Sequence, residues 1–164
     1  MGQINSINNL NMLAFILTSV VSAFKFDHYE FNVEHLTLKN GTAYSLRVSN
    51  EETLYFNYMG NVHLPSECEH LTWSTNAYSI VSSQGKAVCE NVGTIESSKF
   101  TMIQPGGFFT PPIGLRSVYQ SASGNVFQID LMCNRVESMR VSRSTSGSYL
   151  VTWNNPAGCA RYVG

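Results

Sequence analysis

Apolar and polar side chains alternate along this chain in short runs separated by turn formers. Ala43-Tyr44-Ser45-Leu46-Arg47-Val48 is one run, and Leu54-Tyr55-Phe56-Asn57-Tyr58 is a second. Val126 to Cys133 alternates without a break, and Tyr149-Leu150-Val151-Thr152-Trp153 follows near the end. A period of two puts successive side chains on opposite faces, so each run predicts a half-buried strand. Their aromatic and β-branched bias points the same way. Between the runs lie Asn40-Gly41, Ser49-Asn50, Gln84-Gly85, Pro105-Gly106-Gly107, Ser123-Gly124 and Ser146-Gly147, all turn signals. Past the N-terminal segment no long stretch repeats apolar residues at helical spacing, so no helix beyond about three turns is expected after Ala23. Many short strands with frequent turns predict an all-β sandwich or flattened barrel. No internal repeat stands out.

The N-terminal segment reads differently. Met12 to Val21 is a short apolar run followed by Val21-Ser22-Ala23, small residues suited to signal-peptidase cleavage. The expectation is a helical signal peptide over 1–23 and one β domain over 24–164. The preceding stretch carries no Lys or Arg, and Gly2 with Ser6 fits the short myristoylation pattern. The apolar run makes export the better reading. No second long apolar segment follows, so no membrane span is expected in the mature chain.

Export makes the cysteines informative. Cys68, Cys89, Cys133 and Cys159 are even in number and should pair in an oxidising lumen, in one of three connectivities. Asn40-Gly41-Thr42 is a sequon that could carry a glycan there.

Composition narrows the chemistry. With 43% hydrophobic and 13% charged residues, the 164-residue chain has material for one core and is not of the disordered class. Its formal charge of −1 supplies no basic field for nucleic acid or an anionic membrane. The four histidines (His28, His35, His63 and His70) show no zinc-type spacing with the cysteines. G-x-S-x-G, H-E-x-x-H and C-x-x-C are absent, and Gly106-Gly107 opens no helix that could cradle phosphate. Glu51 and Glu52 are adjacent, so on a strand they would face opposite ways and serve joint acid–base chemistry poorly; a solvated turn is expected. Phe108 and Phe109, in the Pro105–Pro112 loop, would form a contact patch or fold back on the core. These features indicate a binding protein, not an enzyme, with neither cofactor nor metal.

The C-terminal half carries a resemblance. Ala87-Val88-Cys89 is followed by Gly114-Leu-x-x-x-Tyr119, a strand ending in Cys133-Asn134, a Ser-rich hairpin, Tyr149-x-x-x-Trp153 and Pro156-Ala-x-Cys159. In order and spacing this resembles a mannose 6-phosphate receptor homology (MRH) domain, from about His35 to Cys159. The resemblance implies a flattened barrel of two antiparallel sheets, with Cys68 paired to Cys89 and Cys133 to Cys159. It also implies a lectin-like module of the endoplasmic reticulum, Golgi or endolysosome, or a secreted one, with a glycan, glycoprotein or partner protein as ligand. The family's sugar pocket uses Gln, Arg, Glu and Tyr. Those positions fall here on Glu90, Asn125, Arg143 and Tyr149, so only Tyr149 matches. The alternative is a protein-interaction or accessory subunit that keeps the fold without the lectin function. Opposite charges at Glu90 and Arg143 are expected to pair across the pocket and oppose sugar binding.

Overall fold

The computed structural model describes residues 23–71, 74–106 and 110–164, and the protein is all-β. Residues 1–22 of the expected signal segment and the Phe108–Phe109 pair lie outside the described residues; Ala23, its last residue, opens a strand. The strands are β1 (Ala23–Phe26), β2 (Tyr29–Asn32), β3 (Tyr44–Arg47), β4 (Glu52–Phe56), β5 (Thr75–Ser83), β6 (Lys86–Ile103), β7 (Gly114–Gln120), β8 (Val126–Cys133), β9 (Ser138–Arg143), β10 (Tyr149–Asn155) and β11 (Arg161–Tyr162). The helical segments among the described residues are three-residue 3-10 turns.

Two sheets form. A small one has the order β1-β2-β11, and an eight-stranded one runs β3-β4-β5-β6-β7-β8-β10-β9. Pairing is antiparallel with one exception. β9 sits outside β10 at the sheet edge, so β8 and β10 lie side by side and parallel, with Phe127 opposite Tyr149 and Leu131 opposite Trp153. The large sheet curls until its edge strands β3 and β9 meet, and Tyr44 on β3 packs edge-on against Trp153 on β10 at 4.8 Å. Strong twist and curl over many strands favour such near-closure over an open, flat sheet. β6 bends to serve both neighbours: its register with β7 shifts between Thr94 and Lys99. At that bulge the Ser97 hydroxyl replaces a ladder partner by accepting the Gln120 N–H at 2.6 Å.

The barrel is filled from alternating positions. Leu54 and Phe56, Phe127, Ile129 and Leu131, and Tyr149, Val151 and Trp153 all point inward and are buried. A satellite cluster of Val62, Cys68, Tyr78 and Cys89 covers the outer face of β5 and β6. The Cys68–Cys89 disulfide pins that cover to β6, and Cys133–Cys159 clips the end of β8 to the segment after β10. Disulfides persist in oxidising compartments, which accords with a secreted or lumenal protein. Among the described residues no helix is long and apolar enough to cross a membrane.

Candidate functional site

Strand parity gathers polar side chains at one mouth of the barrel. Glu52 opens β4 two positions before Leu54 and shares its inward face. Leu54 lies opposite Ser79 on β5, and Ser79 opposite Glu90 on β6, so both of those point inward too. On the far side, Tyr149 at the start of β10 lies opposite Arg143 at the end of β9. Asn125 precedes β8 directly. All four positions aligned from sequence therefore converge.

Their contacts form a two-layer network. In the inner layer the Tyr149 hydroxyl donates to Glu52 Oε1 and lies 3.1 Å from Ser79 Oγ. In the outer layer Arg143 Nη1 donates to Glu52 Oε2 at 3.0 Å, while its Nη2 sits 3.7 Å from Glu90 Oε2. Asn125 Nδ2 donates to Glu90 Oε1 at 2.6 Å. The Arg143 guanidinium also lies over the Tyr149 ring, 5.2 Å from its centroid, in cation–π range. Glu52 is only 7% exposed, whereas Arg143 is 35% and Glu90 40% exposed. Solvent therefore meets Arg143, Glu90 and Asn125, and the buried Glu52–Tyr149 pair fixes where Arg143 stands. Burial, with the Glu52 carboxylate beside it, pushes the Tyr149 hydroxyl up to about 12.

Glu52 corrects the expected solvated turn at Glu51-Glu52. The opposite-facing geometry holds, and its consequence is that one of the two must point into the barrel. The signal was its parity with Leu54 and Phe56. The Glu90–Arg143 pairing across the pocket is within ion-pair reach. Tyr149 is buried.

The rim contains a repeat that escaped sequence reading. Ser121-Ala122-Ser123-Gly124-Asn125 joins β7 to β8, and Ser144-Thr145-Ser146-Gly147-Ser148 joins β9 to β10. The two turns have the same hydrogen bonds. The first serine N–H donates to the fifth residue's carbonyl, at 3.0 Å and 2.8 Å. The glycine N–H donates to the first serine's carbonyl, at 3.0 Å and 3.1 Å. The first serine Oγ accepts the fifth residue's N–H at 3.1 Å in both, and pairs with the third serine's hydroxyl at 2.8 Å in both. Both glycines are left-handed, with φ of 89° and 85°. Because β8 and β10 are parallel neighbours, the turns stand side by side. Between them lies a shallow depression of ≈ 610 Å³ lined by Glu90, Asn125, Arg143 and residues 144–147.

Among the described residues no cluster of His, Cys, Asp or Glu is built to hold a metal. Compared with known proteins, the chain matches no family model and no curated sequence. The resemblance to MRH domains rests on the residues themselves.

Proposed function

We propose that the protein is a lumenal, non-enzymatic glycan-binding module of the MRH type, and that its ligand is a neutral mannose-type glycan. The observation that carries this reading is the content of the mouth. An MRH pocket uses an amide, a guanidinium, a carboxylate and a phenol; here Asn125, Arg143 and Glu90 supply the first three from exchanged positions, and Tyr149, at the matching position, stands buried behind them. Vicinal hydroxyls need a donor fork beside an acceptor, and chemistry matters more than which strand provides it. Arg143 has N–H groups beyond the one given to Glu52, and Glu90 Oε2 lies at ion-pair distance without a hydrogen bond. Glu52, Glu90 and Arg143 together give the mouth a formal charge of −1, which repels a phosphate ester and tolerates an uncharged sugar. Mannose 6-phosphate should therefore bind weakly or not at all.

A second reading has its own observation. Arg143 lies between two carboxylates, so a sugar must displace part of an existing network. On this reading the plugged mouth serves a protein-interaction or accessory subunit. A glycan-array screen of the oxidised chain separates the two. Signal on neutral mannose-rich glycans, lost in Asn125→Ala, supports the lectin reading. A folded protein silent on every glycan supports the accessory reading, and micromolar binding of mannose 6-phosphate overturns the charge argument.

A further inference from the structure

The two disulfides stand in opposite surroundings. Cys68 and Cys89 are 0% and 7% exposed, enclosed with Val62 and Tyr78 in the satellite cluster. Cys133 and Cys159 are both exposed. Cys133 shares the inward parity of Phe127, Ile129 and Leu131 but stands beyond the last of them, where the barrel ends. Cys159 fronts a hollow of ≈ 420 Å³ that Glu30, Asn32, Glu34 and Arg161 also line.

The exposed bridge secures a short piece of structure. The turn Pro156–Gly158 lies against the end of β8, close enough that a Cβ at Gly158 would stand 2.6 Å from the Met132 carbonyl carbon. After Cys159 the chain runs into β11, which is two residues long and exposed. β11 pairs with β2 through Arg161 opposite Glu30 and Tyr162 opposite Tyr29. The Val163 N–H donates to the His28 carbonyl at 2.8 Å, and the Arg161 guanidinium pairs with Glu30. A strand with so little burial of its own opens at low cost once it is untied. The rest of the small sheet is anchored separately: Phe31 and Val33 are buried in the core, and Phe24 stacks on Phe100 at 4.1 Å.

We infer that Cys133–Cys159 is a site of thiol–disulfide exchange with a small thiol such as glutathione, and that opening it releases β11 from β2 while the barrel stays closed. A thiolate entering from the hollow attacks Cys159 Sγ, forms a mixed disulfide there and expels Cys133 as a thiolate, which takes up a proton. A second small thiolate attacks the sulfur of the first and expels Cys159. Two thiols thus become one small disulfide, and the electron pair they give up leaves both cysteines reduced. Access decides which bridge reacts, because the attacking sulfur must reach a sulfur of the bridge. Cys133–Cys159 meets it directly, whereas Cys68–Cys89 is reached only after the satellite cluster opens. Once released, β11 uncovers the backbone groups of β2 that it pairs with, and these form an edge open to another strand. The inference does not depend on what the mouth binds.

The test incubates the full oxidised chain with reduced glutathione under native conditions, quenches with acid at intervals and maps the cysteines by peptide mass. Cys133–Cys159 should open at least about tenfold faster than Cys68–Cys89, through a glutathione adduct on Cys159. Hydrogen exchange on the same samples should show the Val163 amide losing protection as the bridge opens, while the Ile129 and Val151 amides inside the barrel wall keep theirs. Equal rates at the two bridges, earlier opening of Cys68–Cys89, or a chain that stays fully oxidised would each overturn the exchange site. An adduct confined to Cys133 would overturn attack from the hollow. Unchanged protection of Val163 after reduction would overturn the release of β11. Every measurement uses the unaltered chain, so no outcome depends on how a variant folds.

Discussion

Arg143 on β9 donates to Glu52 on β4 at 3.0 Å, joining residues that enter the mouth from opposite ends of an eight-stranded sheet. The bond closes the polar end of the barrel much as the Tyr44–Trp153 contact helps close its apolar interior. It also leaves a nearly buried carboxylate dependent on one guanidinium and one phenol.

That dependence sets the first prediction. Arg143→Ala should cost about 2 kcal/mol, less than a fully buried pair because Arg143 is 35% exposed. Glu52→Gln, which keeps an acceptor for Tyr149, should cost about 1 kcal/mol. The double variant should lose less than the sum, because each change removes the same contact. Chemical denaturation of the four oxidised proteins measures the cycle, and strict additivity would contradict the coupling.

Alkaline pH probes the inner layer. The Tyr149 hydroxyl is raised from its ordinary 10 to about 12 in the folded protein. The unfolded chain therefore releases this proton first as pH rises. The stabilising contribution is fully present below about pH 10 and is lost between about 10 and 12. Burial raises Tyr58 and Tyr119 further still, so they extend the decline. Tyr149→Phe should flatten the part of the stability profile between pH 10 and 12. An unchanged slope would mean that Tyr149 titrates normally.

Each disulfide closes a loop of modest length, with separations of 21 and 26 residues. Replacing either pair by alanines should cost about 3 kcal/mol, mostly through a less restricted unfolded chain. The two losses need not feel the same to the binding surface. Cys68–Cys89 fixes β6 next to Glu90 of the mouth, whereas Cys133–Cys159 lies where β8 ends, at the far end of the barrel from the mouth. Loss of the first pair should reduce neutral-glycan binding at temperatures where the protein is still folded, and loss of the second should not. Thermal unfolding read beside titration separates the effects.

The strands with one face open were legible in the sequence. Val126–Cys133 is β8 as its alternation draws it, and Tyr149 to Trp153 begins β10. β5 was not, because Thr75 to Ser79 is buried without a break: the segment carrying Cys68 covers its outer face and erases the period. The parallel β8–β10 pair was hidden as well, since consecutive hairpins suggest consecutive neighbours and β9 instead lies outside β10. In the site, three of the aligned positions carry unexpected residue types, yet the backbone still brings all four together. Glu52 was missed because an adjacent pair of glutamates reads as solvated. The twin turns, SASGN and STSGS, are too short to register as a repeat until their hydrogen bonds are compared.

Glycosylation offers a check on which end of the barrel is free. Asn40, at φ 58°, sits in an exposed turn before β3, whose first residue Tyr44 lies opposite Phe56 at the end of β4 away from Glu52. A glycan there would stand clear of the mouth. Secretory expression should give a mass increase at Asn40, abolished in Asn40→Asp, a change that tolerates the left-handed backbone. Sugar binding should be the same with and without the modification. Binding that appears only on removing the glycan would place Asn40 near the mouth after all.

The twin turns allow a comparison in which the backbone requirement cancels. Gly124 and Gly147 occupy the same position in the same hydrogen-bonded loop, with φ of 89° and 85°. Alanine is strained at either, by about 1 kcal/mol. The surroundings differ. A Cβ at Gly124 meets nothing within 4 Å, whereas one at Gly147 stands 3.3 Å from Asn125 Oδ1. That spacing is tight, and Asn125 is the residue whose amide holds Glu90. Gly147→Ala should therefore displace the amide and weaken neutral-glycan binding, while Gly124→Ala leaves binding intact at a similar cost in stability. If both substitutions affected binding equally, loop strain and not the position of Asn125 would govern the mouth. If Gly147→Ala alone did, the carboxylate–amide pair would be the element that shapes it.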